Sequence, residues 1–131
     1  MIGVGVDMVY VPQLDNQLQD VASVFVQETF TAKERQYSSQ NHSGKPQRHL
    51  AARFAAKEAF MKAWASLSIG KPLAYKNPSL KDIEVCNDPY GRPYLLLHGV
   101  FQQQLQNYTY RLSLSHDGDY AIAFVVLQEK V

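Results

Sequence analysis

The chain has 131 residues, 46% of them hydrophobic, which suits one globular domain over residues 1–131 with a modest core. The formal net charge is +1, with no Lys or Arg before Lys33 and three basic residues between Arg53 and Lys62. Any basic patch is therefore local, which disfavours a broad nucleic-acid surface, and no apolar run is long enough to cross a bilayer.

Met1 to Val11 alternates, with Ile2, Val4, Val6, Met8 and Tyr10 on one face of an expected strand and Gly3, Gly5 and Asp7 on the other. Asp7 and the lack of a basic flank do not fit a secretory signal. Glycine inside a strand marks the close approach of a backbone or a ligand, and here two glycines lead to a carboxylate. Pro12 is expected to end the strand. From Gln13 to Phe30 a weak pattern of Leu14, Leu18, Val21, Ala22 and Phe25 suggests a helix of low charge. Thr31 with Glu34 has capping-box spacing and predicts a short helix over Ala32 to Ser39. Gln40 to Gln47, with Gly44 and Pro46, reads as a loop and a candidate mobile segment.

A long helix is expected from about Arg48 to Leu67, with Leu50, Phe54, the Lys57 stem, Met61 and Trp64 toward the core. Asp82 to Asn87 and Pro93 to His98 predict a hairpin around Asp88-Pro89-Tyr90-Gly91. Val100 to Gln106 predicts a short helix, and Tyr108 to Ser115 with Tyr120 to Gln128 a second hairpin through His116-Asp117-Gly118-Asp119. This order points to an α+β domain, a mostly antiparallel sheet packed around one long helix. Cys86 is the only cysteine, so no internal disulfide can form and a reducing, cytoplasmic setting is expected.

On the long helix Glu58 and Lys62 lie one above the other beside Ala51, Ala55 and Ala65, a strip with little side-chain bulk. Taken alone they also make the favourable i,i+4 surface pair. Arg53 and Lys57 are like charges four apart, an arrangement that calls for a nearby anion. If strand and helix pack face to face, Asp7 meets Glu58. Two carboxylates without a Cys or His ligand pair suit Mg²⁺, which takes one or two carboxylates and completes its shell with water and substrate phosphate. Lys62, Arg53 and Lys57 would then hold phosphate oxygens. A nuclease or phosphatase would need more carboxylates than these. From the residues alone the reading stops at a candidate site for Mg²⁺ and phosphate, with a plain Glu58–Lys62 surface ion pair as the alternative.

Ile2-Gly3-Val4-Gly5-Val6-Asp7, Arg53-Phe54-Ala55-Ala56-Lys57-Glu58-Ala59 with Lys62-Ala63, Asp82-Ile83-Glu84-Val85 with Asp88, Gly91 and Pro93, and Ser113-Leu114-Ser115-His116 with Tyr120-Ala121 together resemble the holo-[acyl-carrier-protein] synthases, the small phosphopantetheinyl transferase type. The resemblance runs over nearly the whole chain. It implies transfer of the 4'-phosphopantetheine arm of coenzyme A to a serine of an apo acyl carrier protein, with release of adenosine 3',5'-bisphosphate. By the same resemblance Asp7 and Glu58 match the Mg²⁺ ligands, Glu58 and Lys62 are the catalytic pair, and Arg53 and His116 correspond to positions lining the coenzyme A site. The acceptor of the serine proton stays open between Glu58 and a water on the metal. The resemblance also implies a homotrimer with sites between neighbouring subunits.

Two departures stand out. Where the family has a glutamate and an arginine three and six residues past the aspartate, this chain has Tyr10 and Gln13, and Met8 to Ala32 contains no Lys or Arg. The glycine-rich turn that commonly follows the long helix is reduced to Ala65-Ser66-Leu67-Ser68-Ile69-Gly70. The first departure supports an alternative, a non-catalytic coenzyme A-binding relative that has lost carrier docking.

Overall fold

Pro46–Ser66 is a helix of 21 residues, α4, and its composition explains its length. It holds seven alanines and no Gly, Val, Ile or Thr, the residues that weaken helix interiors, and Pro46 sits in its first turn, where a missing N–H costs nothing.

The computed structural model describes residues 1–20, 22–40 and 45–131. Strand β1 (Ile2–Tyr10) leads into helices α1 (Val11–Gln19), α2 (Val24–Thr29) and α3 (Ala32–Ser39), followed by α4. A 3-10 turn at Leu80–Asp82 precedes the hairpin β2 (Ile83–Asn87) and β3 (Pro93–Leu97); helix α5 (Gly99–Gln104) and the hairpin β4 (Tyr108–Asp117) and β5 (Tyr120–Glu129) complete the chain. The strands form two antiparallel sheets, β1-β5-β4 and β2-β3. The α+β class with a long central helix is therefore as the sequence predicts.

The weak helix expected from Gln13 to Phe30 is instead two helices. Asp20 Oδ1 accepts from Ala22 N at 3.0 Å, and Ser23 Oγ caps α2 by accepting from Val26 N at 3.2 Å. These side chains offer the backbone bonds that compete with a continuous helix. Pro12 falls in the first turn of α1, so it starts that helix as well as following the strand. Of the loop expected over Gln40 to Gln47, residues 41–44 lie outside the described residues, while Pro46 and Gln47 already belong to α4, because proline is accommodated in a helix's first turn. The capping box at Thr31 and Glu34 is complete, with Thr31 N donating to Glu34 Oε1 at 2.9 Å and Glu34 N donating to Thr31 Oγ1 at 3.2 Å.

One face of α4 crosses the larger sheet, and Phe60 and Trp64 on another meet Phe101 of α5 edge to face at 5.0 and 5.1 Å. Phe60 and Phe101 are fully buried, each contributing roughly 1.5–3 kcal/mol of apolar burial. Strand β1 turns its glycine face to α4. A Cβ built on Gly5 would strike the Ala59 carbonyl oxygen and lie 2.6 Å from Ala63 N, so the close approach signalled by the glycines is that of a helix backbone. The opposite face of β1, with Ile2, Val4, Val6 and Met8, is exposed beside Ile122 and Phe124 of β5.

Candidate functional site

The glycine contact sets Asp7 against α4. Lys62 reaches across from the helix, donating to Val6 O at 3.0 Å and to Asp7 Oδ1 at 3.1 Å, while its side chain stays 57% exposed. Lys62 thus pairs with the strand aspartate, and no ion pair with Glu58 replaces that contact among the described residues. Partial burial raises the pKa of the Glu58 carboxyl, and the neighbouring Asp7 charge raises it further against the opposing pull of Lys62.

Among the described residues no group of three or more His, Cys, Asp or Glu side chains could hold a metal. A pair of carboxylates with strained charge balance fits Mg²⁺, which needs only one or two and draws its other ligands from water and phosphate. It does not fit a zinc site, which takes four ligands rich in Cys and His.

A cavity of about 450 Å³ opens at the N-terminal half of α4. Arg48, His49 and Arg53 line it from the helix, Tyr37 from α3, Asn87 from β2 and His116 from β4. His116 is a strand residue paired with Ala121, beyond which Gly118 at φ +58° makes the tight turn. Arg53 is 3% exposed. Its guanidinium lies 4.4 Å from the Tyr37 ring centroid and donates to Asn87 Oδ1 at 2.6 Å and to His49 O at 3.3 Å. Its Nε has no hydrogen-bond partner among the described residues. Burial lowers the Arg53 pKa, and the charge of Glu34 is foremost among the effects opposing that.

Lys57 requires a correction. Expected to hold a phosphate, it is fully buried, and its Nζ meets Glu34 Oε1 at 2.8 Å, Leu80 O at 2.8 Å and Ile83 O at 2.6 Å. Those contacts match the three donors of an ammonium, so none is left for a ligand. The anion demanded by the Arg53–Lys57 spacing is Glu34 of α3. Sequence reasoning found Glu34 as a cap and missed this second role, because the partner lies in another element. Arg48 and His49 were also missed, although their place one turn before Arg53 could have suggested them.

Within one chain the structure brings Asp7, Glu58 and Lys62 together, and separately Arg53 and His116. Asp7, Glu58 and Lys62 are not among the residues lining the cavity.

Comparison with known proteins agrees with this architecture. Residues 3–125 match the 4'-phosphopantetheinyl transferase superfamily. The holo-[acyl-carrier-protein] synthase of Nocardia farcinica is 43% identical over 130 residues, covering 98% of this chain and 88% of that protein. The Mycobacterium tuberculosis protein of the same name is 40% identical over 128 residues, covering 98% and 97%. A solved structure described as the Chronobacterium ammoniagenes ACPS-CoA complex superposes with a TM-score of 0.88 at 37% identity, covering 100% of this chain and 99% of that one. The chain belongs to the 4'-phosphopantetheinyl transferase superfamily and, within it, to the holo-[acyl-carrier-protein] synthases.

Proposed function

We propose that the protein transfers the 4'-phosphopantetheine arm of coenzyme A to a serine of an apo acyl carrier protein, with Mg²⁺ as cofactor and adenosine 3',5'-bisphosphate as the other product. The observation that carries this reading is the meeting of Asp7, Glu58 and Lys62 across the glycine-lined contact of β1 and α4. In the reaction the serine oxygen forms a bond to the β-phosphorus of coenzyme A and gives up its proton to Glu58 or to water, the bond from that phosphorus to the bridging pyrophosphate oxygen breaks, and the nucleotide departs with that oxygen.

Asp7 and Glu58 would hold Mg²⁺, which when bound supplies charge neutralisation on the pyrophosphate. Lys62, anchored at Asp7 with an exposed side chain, is placed to donate to a phosphate oxygen as charge moves to the leaving group. Arg53 and His116 orient coenzyme A from the cavity walls.

The proposed assembly is a cytoplasmic homotrimer. Its support is the exposed apolar face of Val4, Val6, Met8, Ile122 and Phe124, together with the separation of the acidic pair from the cavity within one chain. Sedimentation equilibrium checks it, and a monomer mass at micromolar concentration overturns it. The activity is tested by mass spectrometry of an apo carrier incubated with protein, coenzyme A and Mg²⁺. A phosphopantetheine mass gain is expected; no gain with any of several carriers, combined with coenzyme A binding by calorimetry, would favour a non-catalytic relative.

A further inference from the structure

We propose that Glu34, which is outside the reacting groups, is a positioning residue for the coenzyme A cleft: its buried carboxylate fixes the three elements whose groups surround Arg53. This rests on the reading of the cavity as the coenzyme A site.

Glu34 is 1% exposed. Its Oε1 accepts from Thr31 N at 2.9 Å and meets Lys57 Nζ at 2.8 Å, and its Oε2 accepts from Val85 N at 2.9 Å. One carboxylate therefore joins the start of α3, the middle of α4 and strand β2. The same three elements supply the surroundings of Arg53: Tyr37 of α3 beneath its guanidinium, His49 O of α4 and Asn87 Oδ1 of β2 as acceptors. Displacing any of the three moves an Arg53 contact.

A capping-box glutamate ordinarily serves its own helix N-terminus at the surface. Glutamine could keep that bond but would offer Lys57 an uncharged partner. Burial of an ion pair is weak evidence of a stabilising role, because well-packed apolar replacements of such pairs are often neutral or stabilising. The geometric role, in which a fixed bond set holds a neighbouring cation in register, gives the pair a reason to be charged.

Two variants test this. Glu34→Asp keeps the charge beside Lys57 but shortens the reach, so the carboxylate cannot hold all three donors. The double substitution Glu34→Leu with Lys57→Met removes the pair without leaving a lone buried charge. For each folded variant the expected result is a coenzyme A KM, and a Kd by calorimetry, raised roughly 10- to 100-fold, the scale of one charge-assisted hydrogen bond, with kcat and the carrier KM changed by less than about 3-fold. A purely structural role lowers the melting temperature without this split. Wild-type coenzyme A affinity in either folded variant overturns the proposal, as does failure of both to fold, which would make Glu34 a folding residue. Wild-type protein that binds coenzyme A without turnover removes the transfer reading and leaves Glu34 to be judged on Kd. Wild-type protein that binds no coenzyme A overturns both.

Discussion

Substituting Gly5 by alanine tests the contact on which the acidic site depends. The new Cβ would meet backbone only, the Ala59 carbonyl oxygen and Ala63 N, and no side chain can rotate away to make room. Ala63 N, at 2.6 Å, must retreat to about 3.4 Å, the start of ordinary van der Waals contact, so strand and helix part by about 0.8 Å or more. Overpacking of this kind costs about 1–3 kcal/mol, which for a domain of this size lowers the melting temperature by roughly 3–15 °C. The same movement carries Asp7 away from Glu58 and Lys62, and a misplacement near 1 Å can cost about 100-fold in rate. Thermal unfolding with a transfer assay reads both effects. Gly3→Ala serves as a graded comparison, because part of its contact is the flexible Leu67 side chain. A Gly5→Ala protein that melts within 2 °C of wild type (about the measurement's resolution) and retains full transfer would refute the packing argument.

Three further outcomes follow from the charges. The folded-state pKa of Glu58 is raised above its ordinary value of 4.5, so the stability it contributes is full below that value and is lost as pH rises through the folded pKa. Glu58→Gln should therefore abolish transfer yet melt no lower than wild type at pH 8 without metal, and Mg²⁺ should raise the melting temperature of wild type alone; a Mg²⁺ shift of equal size in the variant contradicts the assignment. Lys57→Met leaves the Glu34 carboxylate buried without its cation and should cost about 3–5 kcal/mol, read by denaturant unfolding, whereas an unchanged midpoint would mean that the pair is dispensable. The surface of α1 and α2 carries Asp15, Asp20 and Glu28 without any Lys or Arg, so it provides no attraction for an acidic carrier. Transfer to such a carrier should change less than about 3-fold between 0.05 and 0.5 M salt, and a steep decline would show that cations elsewhere guide docking.

Local chemistry made much of this fold legible. The Thr31–Glu34 box marked α3 to the residue, and the turn residues marked both hairpins. The two glycines before Asp7 announced a close neighbour, and the alanine-rich helix was the element able to approach. Solvent exposure was harder to read, because alternation shows that β1 has two faces without showing which is covered. Its bulky face is exposed within the single chain, and its small face packs on α4. Lys57 was misplaced for a related reason. Like charges at i,i+4 are relieved by a nearby anion, but spacing along one helix does not distinguish a ligand phosphate from a buried carboxylate on another element. Lys57 takes the carboxylate, Glu34, and all its donors are engaged. Arg53 stands one turn earlier, with a buried Nε that has no partner among the described residues, and lines the cavity. One sequence spacing therefore serves two ends, a buried cation that fixes the scaffold and a second cation that lines the cavity.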